Sequence, residues 1–107
     1  MKELPFVEHD FIGYSVEERI RKCAVHLARE GWRIAEANLT PLAYDMMERV
    51  AGLRCDKSAR YDSGGLSFVI LGHEVTMRLA PTAGCSWFAC RSFVGDRSET
   101  FLARIDP

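Results

Sequence analysis

Cys85 is the residue best placed to do chemistry. Gly84-Cys85-Ser86-Trp87 puts a thiol just after a glycine and at the start of an apolar run, a junction where a nucleophile can stay exposed. A cysteine hydrolase also needs an imidazole within hydrogen-bond reach of the sulfur. The candidates are His9, His26 and His73, and all three precede Cys85. The cysteine-protease signature carries its histidine downstream instead. His73 also falls in an expected tight turn. A small, half-buried thiol explains Cys85 more simply than a catalytic one.

Metal ligation is the second chemistry to weigh. Cys23 and His26 lie one helical turn apart, and four residues separate Cys85 from Cys90. Together they would supply four soft ligands. Yet Cys23 belongs to an apolar stripe that His26 does not share. Cys85 and Cys90 also lack the two-residue spacing of a metal knuckle. His9-Asp10 and His73-Glu74 are sequence neighbours, and neighbouring side chains in a strand diverge. Gly64-Gly65 lacks the lysine and helix start of a phosphate loop. These patterns predict no catalytic residue, no metal site and no cofactor.

Composition bounds the remaining classes. A chain of 107 residues, 48% hydrophobic, makes one domain with a real core. The net charge is -1, and neither half is strongly basic, so nucleic acid is not the favoured partner. Arg outnumbers Lys eleven to three, which a GC-rich coding bias explains as well as an interface does. The N-terminus reaches Glu8 and Asp10 without an apolar stretch, and no run is long enough to span a membrane. A soluble cytoplasmic protein with reduced Cys23, Cys55, Cys85 and Cys90 is expected, with no membrane partner.

The elements that would position any site read as follows. Residues 1–14 form an irregular lead-in whose apolar residues pack along the body. Ser15-Val16-Glu17-Glu18 is a capping box, and Val16, Ile20, Cys23, Ala24 and Leu27 make one helical stripe that stops at Gly31. Residues 32–38 read as a short strand, with helix as the alternative. Thr40-Pro41 opens a second helix whose inner stripe is Leu42, Met46 and Val50, helped by Ala43 and Met47, and Gly52 ends it. Residues 53–62 are a polar loop or a ragged edge strand.

Two hairpins follow. A Gly72-His73 turn of type II′ would pair Ile70 with Val75, Phe68 with Met77 and Leu66 with Leu79 on one apolar face. The other face would pair Leu71 with Glu74, Val69 with Thr76 and Ser67 with Arg78. A one-residue slip would scramble that sorting. The second hairpin joins 87–94 to 99–105 through Gly95-Asp96-Arg97-Ser98. It sets Phe88 opposite Ile105 and Cys90 opposite Ala103, and turns Trp87, Arg91 and Phe93 outward.

The segment Leu39-Thr40-Pro41-Leu42-Ala43-Tyr44-Asp45-Met46-Met47, continued by Val69-Ile70-Leu71-Gly72-His73-Glu74-Val75, resembles small phage and prophage proteins. In those, a strand leads to a Ser/Thr-Pro helix start and then to a glycine-turn hairpin. The resemblance covers residues 39–75 and implies an origin in a mobile element. It carries over no catalytic residue.

The expected fold is α+β: two N-terminal helices on an antiparallel sheet of about four strands, built from two C-terminal hairpins with an edge strand from 32–38 or 53–61. The expected function is a non-enzymatic protein-binding module, either a host-directed inhibitor or a small assembly component. Its candidate contacts are Trp87, Arg91 and Phe93 on the outer hairpin face, since Trp and Arg favour hot spots. Arg54, Arg60 and Tyr61 in the 54–62 loop are a second set. A nucleic-acid-binding regulator using the same sheet face is the alternative, and a small cysteine-dependent enzyme the third reading. An unpaired sheet edge also allows a homodimer.

Overall fold

A computed structural model describes residues 2–4, 11, 13–54, 59–62, 65–82 and 84–107; the side chains of 53–54 and 59–62 are not described. The elements in chain order are β1 (Lys2–Glu3), α1 (Val16–Arg29), β2 (Trp32–Leu39), α2 (Pro41–Arg54), β3 (Ala59–Asp62), β4 (Gly65–Ile70), β5 (His73–Leu79), β6 (Ser86–Ser92) and β7 (Ser98–Ala103). The strands form one mixed sheet in the order β1-β7-β6-β2-β5-β4-β3.

The α+β class holds, but the sheet is larger than four strands and is not purely antiparallel. β1 runs parallel to β7, and β2 parallel to β5. Segment 32–38 is therefore neither helix nor edge. It is the central strand, antiparallel to β6 on one side and parallel to β5 on the other. Its composition hides this, because a bulge between Ile34 and Glu36 breaks the two-residue alternation. Residues 59–62 form the edge strand β3 rather than a loop.

α1 starts as the capping box requires. The Glu18 amide donates to Ser15 Oγ at 3.2 Å, and the Ser15 amide to Glu18 Oε1 at 3.3 Å. Its buried stripe is Val16, Ile20, Cys23, Ala24 and Leu27, as the spacing predicts. Gly31, at φ 87°, takes the left-handed position that stops the helix and turns the chain into β2.

α2 differs from expectation in face and length. Ala43, Met47 and Ala51 are buried, Met46 and Val50 are only partly so, and Leu42 is 49% exposed. Both stripes have helical spacing, and the one with alanines lets the helix approach the sheet closely. Gly52 does not end the helix, which runs to Arg54.

Both hairpins keep their predicted faces in a different register. In the first, Ile70 pairs with His73, Phe68 with Val75 and Leu66 with Met77. The turn residues are Leu71 and Gly72, with φ 52° and 78°, as a type I′ turn demands. In the second, Phe88 pairs with Phe101 and Ser86 with Ala103, four residues from the expected register. Both shifts are even numbers, so the alternation survives. Leu66, Met77, Ala37, Phe88 and Phe101 then form one buried row across five strands, under the two helices.

Candidate functional site

Both helices bury their stripes in the same cluster as this row, so the opposite face of the sheet carries no helix. Trp87, Ala89 and Arg91 point to that open face from β6. Cross-strand neighbours are Asn38 and Leu102 for Trp87, Glu36 and Thr100 for Ala89, and Arg33 and Ser98 for Arg91. Trp87 is half-buried and Arg91 exposed.

Charge on this face is unevenly matched. Arg78 Nε meets Glu36 Oε2 at 3.2 Å, and the Ser67 hydroxyl donates to Glu74 Oε1 at 2.6 Å. Arg33 and Arg91 stand directly opposite each other, and neither forms an ion pair with a described residue. Like charges opposite one another across a strand pair destabilise a sheet. Asn38, flanked by Arg78 and Trp87, is buried with its Nδ2 donor lacking a partner among the described residues.

The structure keeps Trp87 and Arg91 on one face but separates Phe93 from Trp87. Trp87 lies near the start of β6 and Phe93 just past its end, six residues or about 20 Å away at the usual strand rise. The Phe93 amide donates to Gly31 O at 3.0 Å, and its ring lies 5.7 Å from that of His73. Phe93 therefore caps the end of the sheet. For the second candidate set, Arg54 ends α2, while Arg60 and Tyr61 belong to β3. Their side chains lie outside the described residues, so the set is placed by backbone only.

Around Cys85 the geometry does not favour nucleophilic catalysis. The thiol donates to the Ala103 carbonyl at 3.5 Å, beside a cavity of about 360 Å³ that Arg104 and Asp106 also line. Burial pushes its pKa up, partly offset by the Ala103 backbone and by Arg104. A thiol held protonated is a poor nucleophile. His73 begins β5 at the end of the sheet opposite Cys85, because β5 is parallel to β2 and β2 antiparallel to β6. His9, Asp10 and Cys55 lie outside the described residues. Cys23 and Cys90 are buried in the core, and among the described residues no three His, Cys, Asp or Glu side chains converge as metal ligands.

Among the described residues the sheet ends on β3 at one edge and on the two-residue β1 at the other. No helix is long and apolar enough to cross a membrane. Sequence reasoning missed Arg33 and Asn38. Both sit on a strand whose face assignment depends on the bulge, which the sequence does not announce. No protein-family model, no curated protein and no solved structure matches this chain, so its function is read from its own geometry.

Proposed function

We propose that this chain is a non-enzymatic binding module that meets an acidic protein partner with the open face of its sheet. One observation carries the reading: Trp87 shares a helix-free face with Arg33 and Arg91, two opposed guanidinium groups with no acidic partner among the described residues. A carboxylate from a partner would relieve their repulsion through bidentate hydrogen bonds. Trp87 would supply the apolar anchor that hot spots favour. The role we assign it is a host-directed inhibitor or a small assembly component.

The same face suggests a second reading. Tryptophan and arginine side by side on a sheet also suit a single-stranded nucleic acid, by stacking and phosphate contact. The net charge of -1 weighs against it.

Affinity capture from lysate at low and moderate salt, with wild-type chain and the Trp87→Ala and Arg91→Ala variants, tests both. A stoichiometric protein that survives moderate salt with wild type and is lost with either variant is the expected result. Retention unchanged in both variants would overturn the assignment to this face. Nucleic acid alone, released as salt rises, would replace the protein partner with the second reading.

A further inference from the structure

Ser98, Arg91 and Arg33 stand in one cross-strand row on the open face of the sheet, and we infer that this row binds a phosphorylated side chain of the protein partner. The inference rests on the protein-binding reading and names the acidic group that this face takes.

Backbone hydrogen bonds fix how close the three residues stand. The Phe93 amide donates to Gly31 O at 3.0 Å, which makes Gly31–Phe93 a hydrogen-bonded pair. Bonded and non-bonded pairs alternate along an antiparallel ladder. Arg33–Arg91, two steps on, is therefore bonded again, with Cα atoms about 5.5 Å apart. On the other side of β6, the Ser92 amide donates to Arg97 O at 2.9 Å. Arg91–Ser98, one step on, is then a non-bonded pair at about 4.5 Å, the kind that brings side chains closest. Alternation puts all three residues on the face opposite the buried Ile34 and Cys90.

The carboxylates of the neighbouring strands are engaged elsewhere. Glu36 Oε2 meets Arg78 Nε at 3.2 Å, and Glu74 accepts the Ser67 hydroxyl at 2.6 Å. Glu99, opposite Cys90, lies on the other face and meets Lys2 Nζ at 3.3 Å. Among the described residues no carboxylate is within ion-pair distance of Arg33 or Arg91. The Ser98 hydroxyl is exposed and has no hydrogen-bond partner among the described residues.

Charge and donor count select the anion. A carboxylate brings one charge and two oxygens, which answer one guanidinium fork. A phosphate monoester brings a charge of about −1.5 to −2 at neutral pH and three acceptor oxygens. Two forks and a hydroxyl match it in both respects. Arginine clusters recognise phosphorylated motifs on this ground.

The rest of β6 selects a peptide over free phosphate. Trp87 lies on the same face four residues before Arg91, about 13 Å away at the usual strand rise. Ala89 stands between them, and its methyl group leaves room for a partner's backbone along the strand. An extended segment laid there sets its phosphoryl group on Arg91 and Arg33 and an apolar side chain, about four residues away, on Trp87.

NMR titration of the full-length 15N-labelled chain with the peptide acetyl-Gly-Phe-Gly-Gly-Gly-pSer-Gly-amide tests the inference, beside its Glu and unmodified Ser counterparts and inorganic phosphate. Saturable shifts are expected at the amides of Arg33, Arg91 and Ser98, with the phosphopeptide bound roughly tenfold or more tighter than the Glu peptide. Arg33→Gln and Arg91→Gln should each remove that preference while the thermal midpoint holds or rises, because a repulsive pair is relieved. Absence of saturable shifts, equal affinity for the phosphoserine and Glu peptides, or a preference that survives both variants would overturn the proposal. Inorganic phosphate binding as tightly as the phosphopeptide would reduce the row to an adventitious anion site. Capture from phosphatase-treated lysate separates the two readings. A partner still retained after treatment, and lost with Arg91→Ala, would uphold the protein-binding face and overturn the phosphoryl assignment.

Discussion

Thr40 and Asp106 join the start of α2 to the C-terminal tail. The Thr40 hydroxyl donates to the Asp106 carboxylate at 2.7 Å while its oxygen accepts the Ala43 amide at 3.3 Å. One hydroxyl thus caps a helix and holds a segment 66 residues away. Ser86 Oγ accepts the Thr40 amide at 3.0 Å and so fixes Thr40, and Arg19 Nη1 donates to the Ile105 carbonyl at 3.1 Å, so the tail is anchored both at the start of α2 and from α1. Thr40→Ala should destabilise the fold by about 1–2 kcal/mol, a lost cap plus a charge-assisted hydrogen bond. Asp106→Ala should cost less, because the cap survives. Urea unfolding of both variants and the double variant checks this. Full additivity would show that Thr40 and Asp106 do not act together.

Gly65 occupies a position that no other residue fits. Its φ is 147°, and a Cβ there would overlap the Met77 carbonyl oxygen. That oxygen belongs to the β5 backbone and cannot move without disturbing the sheet. Gly65→Ala should therefore cost about 2 kcal/mol or more. A thermal midpoint within two degrees of wild type would refute it.

The core face of the hairpins was legible in the sequence, and the pairing was not. Leu66, Phe68 and Ile70 alternate with Ser67 and Val69 whatever the register, so an even shift keeps those three in the core, while Leu79, expected opposite Leu66, is left 49% exposed and Ser67 is buried. The turn itself was hidden because leucine is not a residue that signals positive φ. The parallel β2–β5 pair was hidden for another reason. It joins residues 40 apart, such as Glu36 and Thr76, through a strand of Ala, Glu and Asn whose alternation the bulge interrupts. Trp87 and Arg91 could be placed on one face by counting. Their neighbours Arg33 and Asn38 could not, because the long-range β2–β6 pairing and its bulge set which face each takes.

Leu71 offers a substitution that relieves backbone strain in the first hairpin turn. Asn-Gly is the preferred pair for a type I′ turn, and Leu71 is 48% exposed, so little packing is lost on its removal. Leu71→Asn should stabilise the fold by about 0.5–1 kcal/mol. Urea unfolding of the variant beside wild type measures it. A destabilised variant would show that the leucine side chain contributes more to packing than its φ costs.

Stability should fall as pH rises above 9 because of two core thiols. Burial pushes Cys23 and Cys90 up from 9.0 to about 12, with a smaller contribution to Cys23 from Cys90 itself and to Cys90 from Glu99. The folded pKa is raised above the unfolded one. Each thiol's contribution is therefore fully present below pH 9 and is lost as pH climbs from 9 toward 12, because the unfolded chain ionises first. The loss is about 1.4 kcal/mol per thiol for each pH unit in that window. Cys90→Ala should lower stability at pH 8 through lost packing, yet show a shallower decline between pH 8 and pH 10 than wild type. Urea unfolding at the two pH values, on both proteins, gives the comparison. Parallel declines would assign the alkaline loss to other groups and leave the buried thiols without a part in it.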